Sequence, residues 1–386
     1  MIAVIADDFT GAAELGGIGL RYNLSVEIST AVIPATQADL LVIAADTRSG
    51  DEADAVIKMQ ELTRELLQLK PSLVFKKTDS VLRGHIMAEM KAQLAILQIP
   101  RALLIAANPA LGRTIHDGTY FLHGQPIHLS SFSEDPEFPV TRSDIPGMLR
   151  VVRQAVHIKK TTEALPETGI IVGEVQNTAD TNAWAAQVDD NTLAAGGAGF
   201  FTALLDKLAI KKAGTTNTAA AAPGLPALFV SGTTFHKSRA AIKRIYDAGG
   251  PVSYMPDAIA TAASDIPFLY EAWCRELVSM LRAQGQAFIA IRGEDSGKAL
   301  AHAAILRKRM ALLVYMVLQQ VSIAELFIEG GSTAYAVLQK AGLTGFFPVE
   351  EMAPGVVRMS VREKPGLYIT VKPGSYDWPA NNHIAI

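Results

Sequence analysis

The stretch VIADDFTGA, Val4 to Ala12, is a short apolar run that stops on two adjacent carboxylates, followed by a Thr-Gly pair and a helix-like segment. An apolar run of this length bounded by a turn signal reads as a buried strand, which puts Asp7 and Asp8 where the strand ends. In open α/β sheets, ligands bind in the crevice beyond the carboxyl ends of the strands, so the pair is a site candidate. Behind it, Glu14 to Arg21 reads as a helix carrying Gly16, Gly17 and Gly19. Each glycine costs a helix about 1 kcal/mol relative to alanine, which makes sense where the helix must lie close against a strand or a ligand.

The same pattern recurs along the first half. Asp39 to Ala45 is apolar and ends at Asp46, Thr47 and Arg48, after which Ser49 and Glu52 have capping-box spacing ahead of an amphipathic run to Leu69. Ser72 to Phe75 ends in Lys76, Lys77, Thr78, Asp79 and Ser80, with Arg83 and Gly84 behind, and Ala102 to Ala107 ends in Asn108. Strand alternating with helix argues for βαβ units and a mostly parallel sheet. Taken singly, an Asp or Lys after a strand is a solvated loop residue. Recurrence after successive strands argues instead for one sheet edge collecting Asp7, Asp8, Asp46, Arg48, Lys76, Lys77, Asp79, Arg83 and Asn108. Both signs of charge at close quarters suit a small polyhydroxylated anion, the cations holding its carboxylate and the aspartates taking its hydroxyl protons.

Gly112 to Pro139 is long, aperiodic and rich in turn residues, which reads as a binding loop or lid. Its histidines, His116, His123 and His128, lack the ligand spacing of a zinc site. An amphipathic helix is expected from Ser143, then a strand at Gly169 to Val172, and the GGAG run Gly196 to Gly199 reads as a turn or a helix start.

Lys211 to Pro226 is poor in bulky apolar residues and rich in Ala, Thr, Gly and Pro, so the chain divides into residues 1–212, a linker 213–226, and residues 227–386. Strand and helix alternation restarts beyond it with different strand ends. Ala227 to Val230 ends in Ser231, Gly232 and Thr233; Leu326 to Ile328 ends in Glu329, Gly330, Gly331, Ser332 and Thr333; Leu367 to Val371 ends in Lys372, Pro373, Gly374 and Ser375. Glycine lets backbone N–H groups approach and point at an anion, and a following helix adds its positive end, as a phosphate chain requires. The stretch GEDSGK, Gly293 to Lys298, is one residue short of a Walker-type loop, and no Gly-x-Gly-x-x-Gly follows the first strand. The fold expected is therefore α/β, in two domains, each a mostly parallel sheet flanked by helices. One domain suits a small polar acid and the other a phosphate chain, which implies phosphoryl transfer across the cleft between them.

With 386 residues, 49% hydrophobic and 19% charged, and a net charge of -3, the composition suits a two-domain globular protein and offers no polyanion-binding surface. The single cysteine, Cys274, excludes an internal disulfide. No basic stretch precedes the first strand as a secretory leader would require, and the apolar run Met310 to Leu318 is about half of what a membrane span needs. A cytoplasmic protein is expected, with a homodimer as the base-rate assembly.

VIADDFTGA, DTRS at Asp46 to Ser49, KKTDSVLRGH at Lys76 to His85, and the pattern of Gly112 to Pro139 resemble the sugar-binding domain of the four-carbon acid sugar kinases. SGTT at Ser231 to Thr234, GGST at Gly330 to Thr333 and KPGSY at Lys372 to Tyr376 resemble that family's nucleotide-binding domain. The resemblance implies an ATP- and Mg²⁺-dependent kinase acting on the terminal hydroxyl of 3-oxo-tetronate, D-threonate or D-erythronate. Carried over by position, it implies Asp7, Asp8, Arg48, Lys77, Asp79 and Arg83 on the sugar acid, with Ser80 and Asn108 beside them, and Ser231, Gly330, Gly331, Ser332, Thr333 and Gly374 on ATP. Asp8 is the expected catalytic carboxylate and Asp79 its rival, with Glu329 and Asp295 as candidate Mg²⁺ ligands. Val81, His85 and Ser332 depart from the residues usual in the family and bear on the choice of acid rather than on the reaction. A non-catalytic, ATP-binding sugar-acid sensor is the alternative.

Overall fold

The computed structural model describes all residues except 33–34, 136–137, 213–223, 233–235, 293–298, 375 and 380–386, with the backbone alone at 299–302. Most of the expected linker, together with Thr233, Thr234, Asp295 and the rest of Gly293 to Lys298, and Ser375, lies outside the described residues. The chain divides into two compact units, Met1–Gly214 and Thr215–Ile386.

The strands of the first unit are β1 (Ile2–Ala6), β2 (Val26–Ser29), β3 (Leu40–Ala44), β4 (Leu73–Lys77), β5 (Arg101–Ile105), β6 (Arg113–His116), β7 (Thr119–Leu122), β8 (Gln125–Pro126), β9 (His157–Lys159), β10 (Gly169–Gly173) and β11 (Thr192–Gly196). Eight of them form a run in the order β2-β3-β1-β4-β11-β5-β10-β9, every pairing parallel. β1 and β3 are wholly buried and wholly apolar, as strands covered by helices on both faces must be. Parallel pairing sends the ends of β1, β3, β4 and β5 to one edge, where the charged residues follow.

Gly19 of the helix Phe9–Arg21 has the expected use: a Cβ there would lie 2.6 Å from Val26 and 2.8 Å from Leu40. The helix after β3 starts later than the Ser49 spacing implies, at Glu52 with Asp51 as N-cap. Ser143 is followed by only a four-residue helix, Ile145–Met148, then by a 3₁₀ turn and β9; Arg150, just past the helix, takes φ +55, which ends the helical run. Gly112 to Pro139 is not an open loop. β6, β7 and β8 form an antiparallel sheet, with β6 and β7 joined by Asp117 and Gly118, both at positive φ as a two-residue hairpin turn requires.

The second unit has β12 (Ala227–Ser231), β13 (Val252–Tyr254), β14 (Gln286–Ala290), β15 (Glu325–Glu329), β16 (Gly345–Ala353), β17 (Val356–Val361) and β18 (Tyr368–Lys372). The order is β13-β14-β12-β15-β18-β17-β16, parallel from β13 to β18, with β17 antiparallel to both β18 and β16. Phe288, Phe229 and Phe327 are register partners on β14, β12 and β15, and their rings stack at centroid distances of 4.3 and 4.4 Å. Cys274 is buried in the helix Pro267–Gln284. Among the described residues no helix is long and apolar enough to cross a membrane.

Gly196 closes β11 at φ +151, and a Cβ there would stand 2.0 Å from the carbonyl oxygen of Ile105. Backbone cannot yield as a side chain can, so Gly196→Ala is expected to cost about 1–3 kcal/mol. In urea this would read as a lowered midpoint with an unchanged slope; an unmoved midpoint would show that the strand end can open.

Candidate active site

Asp7 and Asp8 follow β1, and Asp8 is the N-cap of the next helix: its Oδ1 accepts the Gly11 N–H at 2.8 Å and its Oδ2 the Thr10 hydroxyl at 2.8 Å. Arg48, beyond β3, donates from Nε to Asp7 Oδ2 at 2.8 Å and from Nη1 to Asp8 Oδ2 at 3.1 Å, and stands 3.5 Å from Asp79 Oδ1. Asp79, beyond β4, is gripped by Arg83 through Nε and Nη2, each at 2.8 Å, and also accepts the backbone N–H groups of Val81 and Arg83. Five of the expected site residues thus form a single network of carboxylates and guanidinium groups, with both guanidinium groups largely out of water.

The lysine pair splits. Successive side chains of a strand point to opposite faces. Lys77 Nζ lies 3.6 Å from Glu14 on the helix after Asp8, whereas Lys76 turns the other way and pairs with Glu89 at 2.7 Å in the interior. Lys76 therefore leaves the site set, its charge held by a carboxylate that it keeps below the usual range against the effect of burial. The charge of Asp46 acts on Lys58. Ser80 accepts a hydrogen bond from Arg113 Nη1 at 2.7 Å, and Asn108 packs against the start of the helix Ala198–Lys207, where a Cβ on Gly199 would meet its side chain at 3.3 Å.

Environment separates the three aspartates. Burial pushes the Asp7 carboxyl up; Arg48 offsets part of this and the Asp8 charge adds to it. Its Oδ1 is buried with no hydrogen-bond partner among the described residues. Burial also disfavours the Asp8 anion, but Arg48 and Lys77, with the hydrogen bonds from Thr10 and Gly11, outweigh it and hold the carboxyl below its ordinary value. Asp79 is held far below the usual range because Arg83 and then Arg48 overcome its desolvation.

Sequence reasoning missed the residues that brace this edge. Asp135 accepts from Arg83 Nη1 at 2.7 Å, Phe132 lies under the guanidinium groups of Arg83 and Arg113, and the Tyr120 hydroxyl donates to Ser80 O at 2.6 Å. All belong to the segment read as a binding loop or lid. The Asp117-Gly118 dipeptide was the available signal that part of it is a hairpin.

In the second unit, Gly330 sits at φ +96 as N-cap of the helix Gly331–Ala341, and its N–H donates to Lys372 O at 2.9 Å. An L side chain rarely adopts that backbone, and the helix start it makes presents first-turn N–H groups, including those of Ser332 and Thr333, that have no intrahelical partner. The strand ends here are not free of charge. Glu329 Oε1 accepts from Lys372 Nζ at 2.5 Å and from the Ser238 hydroxyl, and Glu329 Oε2 accepts from Ser231 at 3.1 Å. The Lys372 ammonium also donates to Pro373 O at 3.1 Å and Tyr376 O at 2.6 Å, so its three donors are used in fastening the turn that carries Gly374. Among the described residues no group of three or more His, Cys, Asp or Glu is placed to hold a metal ion.

Residues 2–204 match the model of a sugar-binding N-terminal domain and residues 228–376 that of a nucleotide-binding C-terminal domain. The chain is 27% identical to a D-threonate kinase of Salmonella typhimurium over 91% of its length and 89% of that protein. It is 24% identical to a 3-oxo-tetronate kinase of Methylobacterium radiotolerans over 97% of its length and 96% of that protein. A D-erythronate kinase of Heliobacterium modesticaldum is 31% identical over 36% of the chain and 33% of that protein. A solved structure from Salmonella typhimurium LT2 shares the fold with a TM-score of 0.75 at 20% identity, covering 97% of this chain and 96% of that one. The Haemophilus influenzae protein HI1011 does so with a TM-score of 0.69 at 19% identity, covering 99% of this chain and 98% of that one.

Removing one partner of a buried ion pair leaves an uncompensated charge and costs about 3–5 kcal/mol, so Asp79→Asn is expected to lower the melting temperature markedly at pH 7. A depressed folded-state pKa gives stability that is present above the unfolded value of about 3.9 and lost as pH falls through the folded one. The gap between Asp79→Asn and wild type should therefore narrow in melts taken below about pH 4; a gap constant down to pH 2 would assign the loss to packing instead.

Proposed function

The chain belongs to the four-carbon acid sugar kinase family, ATP-dependent phosphotransferases acting on a hydroxyl, and from that premise we propose that it phosphorylates the 4-hydroxyl of a threonate, erythronate or 3-oxo-tetronate in the cytoplasm. The observation that carries the reading is the buried Asp7–Asp8–Arg48–Asp79–Arg83 network at the strand ends of the part that matches the sugar-binding model.

In phosphoryl transfer the protein mainly positions groups and neutralises charge, and little proton abstraction precedes the loose transition state. A carboxylate that stays ionised at neutral pH can therefore orient the attacking hydroxyl and take its proton late. Asp8 suits this better than Asp79. Asp79 accepts from Arg83 on both oxygens and from two backbone N–H groups, whereas among the described residues Asp8 Oδ1 accepts only the Gly11 N–H. Lys77 and Arg83, with Ser80 and Asn108 nearby, would hold the sugar acid's carboxylate and hydroxyls, and Asp7 would act through Arg48. Ser231, the N–H groups from Gly331 to Thr333, and Gly374 would cradle the phosphates of ATP, with Gly330 supplying the backbone turn. Those phosphates would carry the Mg²⁺, which would supply charge neutralisation there. Glu329 is engaged by Lys372, Ser231 and Ser238, which supports the phosphates rather than a protein cage as the main source of its ligands.

Incubation with Mg-ATP and a panel of tetronates, with ADP as readout, tests the activity; ADP release that no sugar acid stimulates would reject it, and binding of both ligands without ADP would mark a sensor. Asp8→Asn is expected to lower kcat by about 10²–10⁴-fold with ATP affinity kept. Turnover within a few-fold of wild type would exclude Asp8 as the base.

A further inference from the structure

The loop that carries Arg48, residues 45–51, and the turn that carries Asp79 and Arg83, residues 78–85, are joined by a bond that has no part in the reading above. His85 closes the turn as N-cap of the helix Ile86–Leu97, and its Nε2 lies 2.7 Å from the carbonyl oxygen of Gly50. We propose that His85 is a positioning residue for the sugar acid: by bonding Gly50 it ties the Arg48 loop to the Arg83 turn and fixes the spacing of the two guanidinium groups about Asp79. The proposal rests on the sugar-acid reading and adds to it a side chain that acts through Gly50 and Arg48 without touching the substrate.

Three observations carry it. The first is connectivity. Gly50 stands two residues past Arg48, and His85 two residues past Arg83, so the bond joins the two segments close to where both arginines leave the backbone. The second is packing. Gly84 takes φ +88 against Arg48, and a Cβ there would stand 3.0 Å from Arg48 Cγ and 3.5 Å from its Cα. Only glycine adopts that backbone freely and leaves room for the approach. The turn therefore closes onto the stem of Arg48 one residue before the His85 ring reaches Gly50, and the two segments meet at adjacent points.

The third is electrostatic. Arg48 and Arg83 approach the same oxygen, Asp79 Oδ1, at 3.5 and 2.8 Å, and like charges so close repel one another. Asp79 draws both in. The His85 bond resists their separation from outside the network, with no further carboxylate or guanidinium placed among the aspartates. A carbonyl oxygen can only accept, so Nε2 carries the proton of this bond whether the ring is neutral or charged. Nδ1 is left facing Glu52 at 3.8 Å, and a proton gained there keeps the tie intact.

Glutamine and asparagine separate this role from mere polarity. A glutamine amide nitrogen reaches the place of histidine Nε2, and an asparagine nitrogen only that of Nδ1, so His85→Gln keeps the bond to Gly50 and His85→Asn loses it. One hydrogen bond changes the equilibrium it controls by about 2- to 10-fold. In steady-state kinetics of the full chain, His85→Asn and His85→Ala should lower kcat/KM for the sugar acid by that factor with the KM for ATP unchanged, and His85→Gln should match wild type. Hydrogen exchange of the free protein gives a readout independent of turnover. The Thr47 and Arg48 N–H groups donate to Asp7 O at 3.1 and 3.4 Å, so a peptide spanning 45–51 should exchange faster in the asparagine and alanine variants and at the wild-type rate in His85→Gln. Wild-type kinetics and exchange in His85→Asn would overturn the proposal, as would a glutamine variant that restores nothing. An equal loss for ATP and sugar acid together with a lowered melting temperature would overturn it too, by making His85 a fold residue only. A wild type that no tetronate stimulates would remove the sugar-acid reading by itself, and the exchange rates alone would then uphold or overturn the tie.

Discussion

Three carboxylates, Asp7, Asp8 and Asp79, stand at neighbouring strand ends in a region from which most water is excluded, and their mutual repulsion at low effective dielectric would force protons onto them or the strands apart. Arg48 is the cation that allows them to remain together. Its guanidinium is shared among all three, with bonds to Asp7 and Asp8 and a contact of 3.5 Å to Asp79. Arg48 lies after β3, Asp7 and Asp8 after β1, and Asp79 after β4, so the group also holds three adjacent strand ends in register. Chemistry and architecture therefore depend on the same side chain.

Sharing one cation among three anions cannot satisfy them equally. Asp79 gains a second guanidinium, Arg83, and Asp8 gains a helix N-terminus, a hydroxyl and Lys77, whereas Asp7 keeps one oxygen unmatched and is the carboxyl whose pKa rises. Titratable neighbours driven in opposite directions are how a site acquires distinct roles for identical groups. The bracing by Asp135, Phe132 and Tyr120 extends the arrangement outward, and the orientation of Arg83 depends on Asp135, 52 residues further along the chain, and on the neighbouring Phe132.

The second unit solves a different problem with related means. In the proposed function phosphate needs backbone N–H groups at a place that side chains leave open, and Gly330 at positive φ with the helix behind it would make such a place. The ion pair of Glu329 and Lys372 beneath it is a fastening. It ties the end of β15 to the end of β18 and pins the turn that carries Gly374, with every ammonium hydrogen used. A charge at a strand end thus belongs to the proposed site in one unit and to construction in the other.

The residues by themselves determined the alternation of strand and helix, the parallel sheet and the placement of Asp7, Asp8, Arg48, Asp79 and Arg83 at one edge, because period, apolar runs and strand termini are local properties that burial acts on directly. They also marked Gly330 to Thr333 as a glycine- and hydroxyl-rich strand end ahead of a helix, which the structure starts at Gly331 with Gly330 as N-cap. What only the tertiary structure decided is which charges face the site. Lys76 and Lys77 are indistinguishable along the chain, yet pleating sends one to Glu89 in the core and the other to Glu14 beside Asp8. The loop from Gly112 likewise proved to be a small sheet, since the contacts of Arg113, Tyr120 and Asp135 with the Asp79 to Arg83 turn span large sequence separations. Partners of that kind are chosen by three-dimensional packing, which a one-dimensional pattern does not contain.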